Sequence, residues 1–327
     1  TPLTRRAALL TGERVKPSRQ YDRGRRMSSN PGPATAAQQD SVKQQVREFY
    51  DQVGWQKTAG GLYQNARYED LRPVSAEYIH RCHLRVKRCL PAKGRFLLDA
   101  GSGPVQYAEY LTYSQDHAYR VCADISIVAL IEARKRLGER GLYVVSDVAN
   151  LPFRPDAFDG AVSLHTLHHL PLDDQFRAYG EIYRVIRPGS TAAVVNGWTD
   201  APLMRATSWL VRLAETAGGW IARLRGKPAP RKKPETRKAS DEGVGTFTRK
   251  LNADLLRREL AGKMRLEIGV WRSVSPRWMR ALVHAPTGGR FWLRLLYALE
   301  ERFPAWFGEN GQYPLVIIRK GAGNREQ

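Results

Sequence analysis

A chain of 327 residues with 42% hydrophobic content can bury a sizeable core, room for one domain of about 230 residues plus additions, or for two small ones. No run approaches the ~20 apolar residues of a membrane span, and the cysteines Cys82, Cys89 and Cys122 are too few for a disulfide framework, which points to a reducing, cytoplasmic setting. Against 32 Asp+Glu stand 53 Lys+Arg, a net charge of +21. That balance favours anionic partners: nucleic acid, anionic lipid or an acidic substrate.

Residues 1–37 are rich in Arg, Ser, Pro and Gly, lack apolar periodicity, and read as a disordered basic segment. Its acids Glu13 and Asp22 oppose a transit-peptide reading. Met27 is a candidate start, so the residues before it are expected to be dispensable. The spacing of Val42, Val46 and Phe49 predicts a helix over 38–50. An aromatic loop with Trp55, Tyr63 and Tyr68 follows, and then a helix over 75–90. His80, Cys82, His83 and Cys89 lie in that helix without the turn-joined pair spacing of a structural metal site. They read as a satisfied helix surface, and no metal is expected.

Residues 96–105, F-L-L-D-A-G-S-G-P-V, are a short apolar run, an acid and a Gly-x-Gly turn. A parallel strand delivers a nucleotide-like ligand to the carboxyl edge of a sheet in this way. The third glycine of a dinucleotide fingerprint is missing, as is the Gly-Lys-Ser/Thr of a phosphate cradle, so the ligand lacks a pyrophosphate. Taken alone, the turn also reads as an ordinary strand-to-helix connection. A second apolar run over 119–123 ends in Asp124, about twenty residues on, where a carboxylate meets a ribose diol. Ile125 would cover an adenine face. A helix over 126–138 leads to a third run, 142–145, and to Asp147, placed to accept from an exocyclic amine. A fourth run spans 158–164. Each acid singly also reads as a strand-end cap; three at successive strand ends argue for a site.

These segments, with S-D-V-A-N-L-P-F, F-D-G-A-V-S-L-H-T-L-H-H-L and E-I-Y-R-V-I-R-P-G, resemble the successive motifs of class I S-adenosylmethionine-dependent methyltransferases. The nearest flavour is the type 11 group that includes ubiquinone/menaquinone C-methyltransferases. The resemblance covers about 96–196. It implies a Rossmann-like, doubly wound α/β sheet, mostly parallel, with helices on both faces and one antiparallel strand near an edge. It also implies S-adenosyl-L-methionine as cofactor. Asp99, Ala100, Gly101, Ser102 and Gly103 would surround its methionine part and Asp124 its ribose. Ile125 and Val148 would flank the adenine, and Asp147 would bind the adenine amine. Leu164 and His165 would sit nearest the methyl sulfonium. Val105 stands where many members have Gly.

Beyond the fourth strand the pattern predicts a helix over 174–186 stopped by Arg187-Pro188-Gly189, then a strand over 191–195. A helix over 251–260 with Asn252 as cap precedes strands over 265–270 and 314–318. The expected organisation is a single methyltransferase domain over 38–327, its cover formed by 38–90. Two insertions, 198–250 and 271–307, are rich in Trp, Phe, Leu and Arg. Three readings stay open for them: a lid and substrate wall, packing on the domain's flank, or an interfacial face meeting anionic lipid.

His165 is the candidate catalytic residue, as a general base, because an unperturbed imidazole titrates near neutrality, or as a substrate contact. Tyr50, Tyr63 and His169 are candidate substrate contacts, while His168 and His169 also read as packing and capping residues. The expected activity is methylation of a small apolar or amphipathic acceptor: a quinone, isoprenoid or polyketide-like molecule. Two alternatives stand beside it: a nucleic-acid methyltransferase, and a non-catalytic cofactor-binding module docking on anionic lipid. The fourth strand ends in S-L-H-T rather than the Asn/Asp-Pro-Pro-aromatic loop of base N-methylating enzymes, so nucleic acid is disfavoured. The protein is expected in the cytoplasm, with the membrane surface as a candidate partner.

Overall fold

The computed structural model describes residues 36–55, 69–224 and 247–322. One seven-stranded sheet organises them: β1 (Gly94–Ala100), β2 (His117–Asp124), β3 (Gly141–Val145), β4 (Phe158–Leu164), β5 (Ile186–Val195), β6 (Arg265–Arg272) and β7 (Tyr313–Arg319). The order is β3-β2-β1-β4-β5-β7-β6. All neighbours are parallel except β7, which runs antiparallel to both β5 and β6. The sheet is therefore doubly wound, and its order reverses between β1 and β4. A ligand crevice opens at that switch point, outside the carboxyl ends of the strands.

The central strands are apolar on both faces because helices cover both. Leu98, Ala192 and Val194 point to one side, into a layer with α5 (Leu172–Val185) and α8 (Ala253–Leu260). Leu97, Ala193 and Val195 point to the other. There they meet α2 (Ala76–Arg88), α4 (Ile127–Leu137), α9 (Pro276–Leu282) and α10 (Gly289–Arg302). The remaining helices are α1 (Ala36–Phe49), α3 (Ala108–Leu111), α6 (Pro202–Ala206), α7 (Ser208–Leu224) and α11 (Pro304–Asn310).

Local chemistry explains the boundaries. Ser126 caps α4 by accepting from Ala129 N–H, and Asn252 caps α8 by accepting from Leu255 N–H. The predicted helix over 251–260 starts two residues late, because Leu251 pairs with Trp198 as a β-bridge. Arg187-Pro188-Gly189 does not form a loop between helix and strand. Helix α5 stops at Val185 and β5 begins at Ile186, running through all three residues. Proline is tolerated near a strand's start, where a ladder donor is dispensable. Gly189 takes φ 82° and donates to Lys320 O at 2.9 Å.

Helix α10 is held through a buried carboxylate. Glu300 accepts from Tyr78 Oη at 2.6 Å, Arg85 Nη1 at 2.8 Å and Ser273 N at 2.9 Å. Its other face is exposed, with Phe291 63%, Trp292 58% and Leu295 42% accessible. The predicted segment 1–37, apart from its last two residues, lies outside the described residues, as does most of the basic Pro-rich linker after α7.

Candidate active site

A cavity of about 630 Å³ lies at the carboxyl ends of β1 to β5. Strand β6 ends at the same edge, and antiparallel β7 begins there, so Trp271, Arg272 and Tyr313 also reach the cavity. Helix α1 and the π-helical turn after it (Tyr50–Gly54) supply the cover through Lys43, Val46 and Tyr50.

At β1 the chain turns on two left-handed glycines. Gly101 has φ 73°, and a Cβ there would sit 2.1 Å from Thr166 Cγ2. Gly103 has φ 51°, donates its N–H to Asp124 Oδ2 at 2.8 Å, and would press a Cβ against the Trp55 ring. Both positions exclude a side chain. Val105 is buried at φ 52°, so a β-branched residue occupies a backbone region that favours glycine.

Asp99 is buried, and its Oδ2 accepts from Arg120 Nε at 2.9 Å and Nη2 at 2.5 Å. Burial pushes its pKa up against the opposing pull of that guanidinium. Ala100, expected among the cofactor contacts, does not line the cavity. It is fully buried in the sheet, and its carbonyl accepts from Ser163 Oγ. Asp124 accepts from the backbone N–H groups of Gly103 and Ser126. Burial, the largest influence, carries its pKa up to about 6, with Asp99 and Asp51 acting in the same direction. Asp147 accepts from Ala149 N at 2.9 Å and from Lys43 Nζ at 2.6 Å, and Lys43 also pairs with Asp174. Ser102, Ile125, Val148 and Leu164 complete this half of the cavity.

Two buried polar atoms here, Ser146 Oγ and Gln106 Oε1, have no hydrogen-bond partner among the described residues. Buried polar groups are almost always paired, so these mark a polar ligand. With carboxylates at successive strand ends, apolar Ile125 and Val148, and a turn stripped of side chains, the residues fit S-adenosylmethionine.

The other half is aromatic. His165 follows β4 at φ 55°, its ring edge-on to Trp271 (4.8 Å between centroids) and to Tyr313 (5.6 Å). Burial first, and then the charge of Arg272 and the neighbouring His83, Lys250 and His169, lowers its pKa to about 3. A neutral, weakly basic imidazole at this place favours the substrate-contact reading of His165 over the general-base one. His168 is likewise held well below its usual value, chiefly by burial, with Asn196 Oδ1 at 3.2 Å from its Nδ1. His169 falls to about 4, again chiefly by burial. Its Nδ1 donates to Phe247 O at 2.8 Å and its Nε2 accepts from Tyr50 Oη at 2.8 Å. With both nitrogens engaged, His169 holds Tyr50 in place and offers an acceptor no nitrogen, contrary to its expected role. Tyr63 lies outside the described residues.

His83 departs most from its expected place. It is buried rather than on a helix surface, stacked on Trp271 with centroids 5.4 Å apart, and both ring nitrogens lack a hydrogen-bond partner. Sequence reasoning also missed Lys43, Arg120, Lys250, Trp271 and Arg272. Only Trp271 and Arg272 had a signal, as the continuation of the β6 apolar run.

Sheet order, glycine turn and acid placement define a class I S-adenosylmethionine-dependent methyltransferase fold. Residues 98–194 match the family described as a methyltransferase domain. The chain is 28% identical over 169 residues to a sterol methyltransferase-like protein of Botryococcus braunii, across 48% of this chain and 41% of that one. It is 31% identical over 149 residues to a tRNA (carboxymethyluridine(34)-5-O)-methyltransferase of Arabidopsis thaliana, across 44% and 33%. Phosphoethanolamine N-methyltransferase 1 of Haemonchus contortus shares the fold, with a TM-score of 0.51 at 10% identity over 90% of this chain and 52% of that one. The matched regions span less than two thirds of these curated relatives' own length.

Proposed function

We propose that the chain transfers the methyl group of S-adenosylmethionine to a small apolar or amphipathic acceptor of quinone, isoprenoid or polyketide type. The carrying observation is the continuity of one cavity, from Asp124 and Asp147 to the aromatic wall of Trp271, Tyr107 and Tyr313. In this reading Asp124 takes the ribose hydroxyls and Asp147 the adenine amine, with Ile125 and Val148 on the ring faces. Asp99, through its bond to Arg120, positions the glycine turn around the methionine part. The cofactor supplies an activated methyl group for an in-line displacement. The protein's task is then to align the acceptor and exclude water. Neutral His165, at the β4 end, accepts a hydrogen bond from the acceptor and orients it, and carries little of the proton transfer itself. Lys250, Trp271, Arg272 and Pro276 bring both insertions to the acceptor side, as a substrate wall.

The test is release of S-adenosylhomocysteine from full-length protein given S-adenosylmethionine with a quinol, a sterol, a polyketide phenol or tRNA. Turnover on a small acceptor supports the reading; turnover on tRNA alone replaces it. His165→Ala is expected to cut turnover at least about tenfold while S-adenosylhomocysteine affinity stays unchanged. Unaltered turnover removes His165 from the mechanism.

A second reading concerns location. The solvent face of α10 and α11 carries Phe291, Trp292, Leu295, Leu299, Phe303 and Trp306, each at least 41% exposed. Arg290 and Arg302 stand beside them on a chain of net charge +21. That combination suits the surface of an anionic bilayer.

A further inference from the structure

The half of the cavity proposed to take the acceptor contains a cation without a counter-ion among the described residues. Lys250 reaches it from the segment before α8, with its side chain laid along Gly197; Cε and Nζ lie 3.2 Å from where a Cβ on Gly197 would stand. Among the described residues its ammonium has no recorded hydrogen bond or ion pair, although burial lowers its pKa. Of the other ionic groups lining the cavity, Asp124 is held by backbone N–H groups alone, in the cofactor half, and the rest are paired. Lys43 pairs with Asp147 and Asp174, Arg272 with Glu69, and Asp99 with Arg120. His165, His168 and His169 are neutral and supply no negative charge. On the same cavity wall, Trp271 Nε1 is a buried donor without a partner among the described residues.

Lys250 is half-buried, so its charge is partly desolvated, and a ligand of opposite sign in the cavity would complete it. One free ammonium balances one negative charge, which suits a monoanion better than a phosphate. The cofactor's sulfonium adds positive charge to the same chamber, so an anionic acceptor is attracted by both.

We propose that Lys250 docks an anionic oxygen of the methyl acceptor, a carboxylate or phenolate on an apolar frame, beside His165 and the Trp271 indole N–H. The proposal deepens, and rests on, the reading of this cavity as a methyltransferase site. It makes the acceptor an amphipathic acid rather than a wholly neutral lipid.

The experiment is calorimetry on full-length protein saturated with S-adenosylhomocysteine, titrated with benzoate and with its neutral counterpart benzamide. Wild type is expected to prefer benzoate by about tenfold or more. Lys250→Met should erase that preference, Lys250→Arg should keep most of it, and S-adenosylhomocysteine affinity should be the same in all three. Equal binding of the two probes to wild type overturns the proposal. So does benzoate that fails to bind at tens of millimolar, or a preference that survives in Lys250→Met. A tenfold loss of S-adenosylhomocysteine affinity in Lys250→Met also overturns it, reassigning the lysine to the cofactor's carboxylate. If S-adenosylhomocysteine does not bind wild type at all, the underlying cofactor reading fails and the proposal with it.

Discussion

Asp124 shows how one residue is tuned by its surroundings. Two backbone N–H groups orient its carboxylate, yet burial leaves it far easier to protonate than a free aspartate, at about pH 6. Ribose hydroxyls are donors and favour the ionised form. Because the pKa is raised, that form is nearly complete only from about pH 7 upward and gives way as the pH falls through 6. Cofactor affinity is therefore expected to be flat from about pH 7 upward and to weaken by up to roughly tenfold per pH unit below 6. Calorimetry with S-adenosylhomocysteine between pH 5 and 8 measures this, and a flat profile refutes it. Asp124→Ala should cost about 1–3 kcal/mol of the same affinity, the scale of a lost hydrogen-bond partner in a buried site.

Among the elements, α10 joins two different surfaces. Its inner face is fastened by Glu300, which ties it to Tyr78 and Arg85 of α2 and to Ser273 just beyond β6. Deleting that carboxylate leaves Arg85 buried with only Glu301 as a counter-ion. Glu300→Ala should destabilise the fold by about 3 kcal/mol or more, since breaking one side of a buried ion pair strands the other. Urea denaturation checks this, and S-adenosylhomocysteine affinity should be unchanged because Glu300 does not line the cavity. A loss below about 0.5 kcal/mol would show that the network contributes little.

Considered as a whole molecule, the chain combines a surplus of 21 positive charges with an apolar outer stripe on α10 and α11. Two copies facing each other through that stripe would bring like charges together, whereas an anionic bilayer is complementary to it. Full-length protein should co-sediment with phosphatidylcholine vesicles containing about a third phosphatidylglycerol, and only weakly with phosphatidylcholine alone. Binding should drop several-fold in about 0.5 M salt, and again in the double variant Trp292→Ser, Trp306→Ser. Vesicle binding unaffected by that variant would assign it to the basic segments instead, and a dimer dissolved by the variant would make the stripe a self-interface.

Much of the fold was legible in the residues, because strands and helices are specified by local periodicity. The run 158–164 became β4 without adjustment, and Ser126 and Asn252 cap helices by bonds three residues long. The residues proposed to hold the cofactor were legible for the same reason: the glycines and acids sit at the ends of those strands, and parallel winding brings strand ends to one edge. The acceptor half was not. His83, Lys250, Trp271 and Tyr313 come from separate parts of the chain, and only the packing of α2 on the sheet, the pairing of β6 and β7 within it and the segment before α8 bring them to the cavity that His165 lines. The basicity of His165 was equally out of reach, since burial and neighbouring charge decide it. Sequence by itself thus determined the sheet, its glycine turn and the class of cofactor, which depend on short-range pattern. Tertiary structure alone decided which charges are paired, which histidines are neutral and that Lys250 enters the cavity without a partner among the described residues, because those depend on distances between residues far apart in the chain.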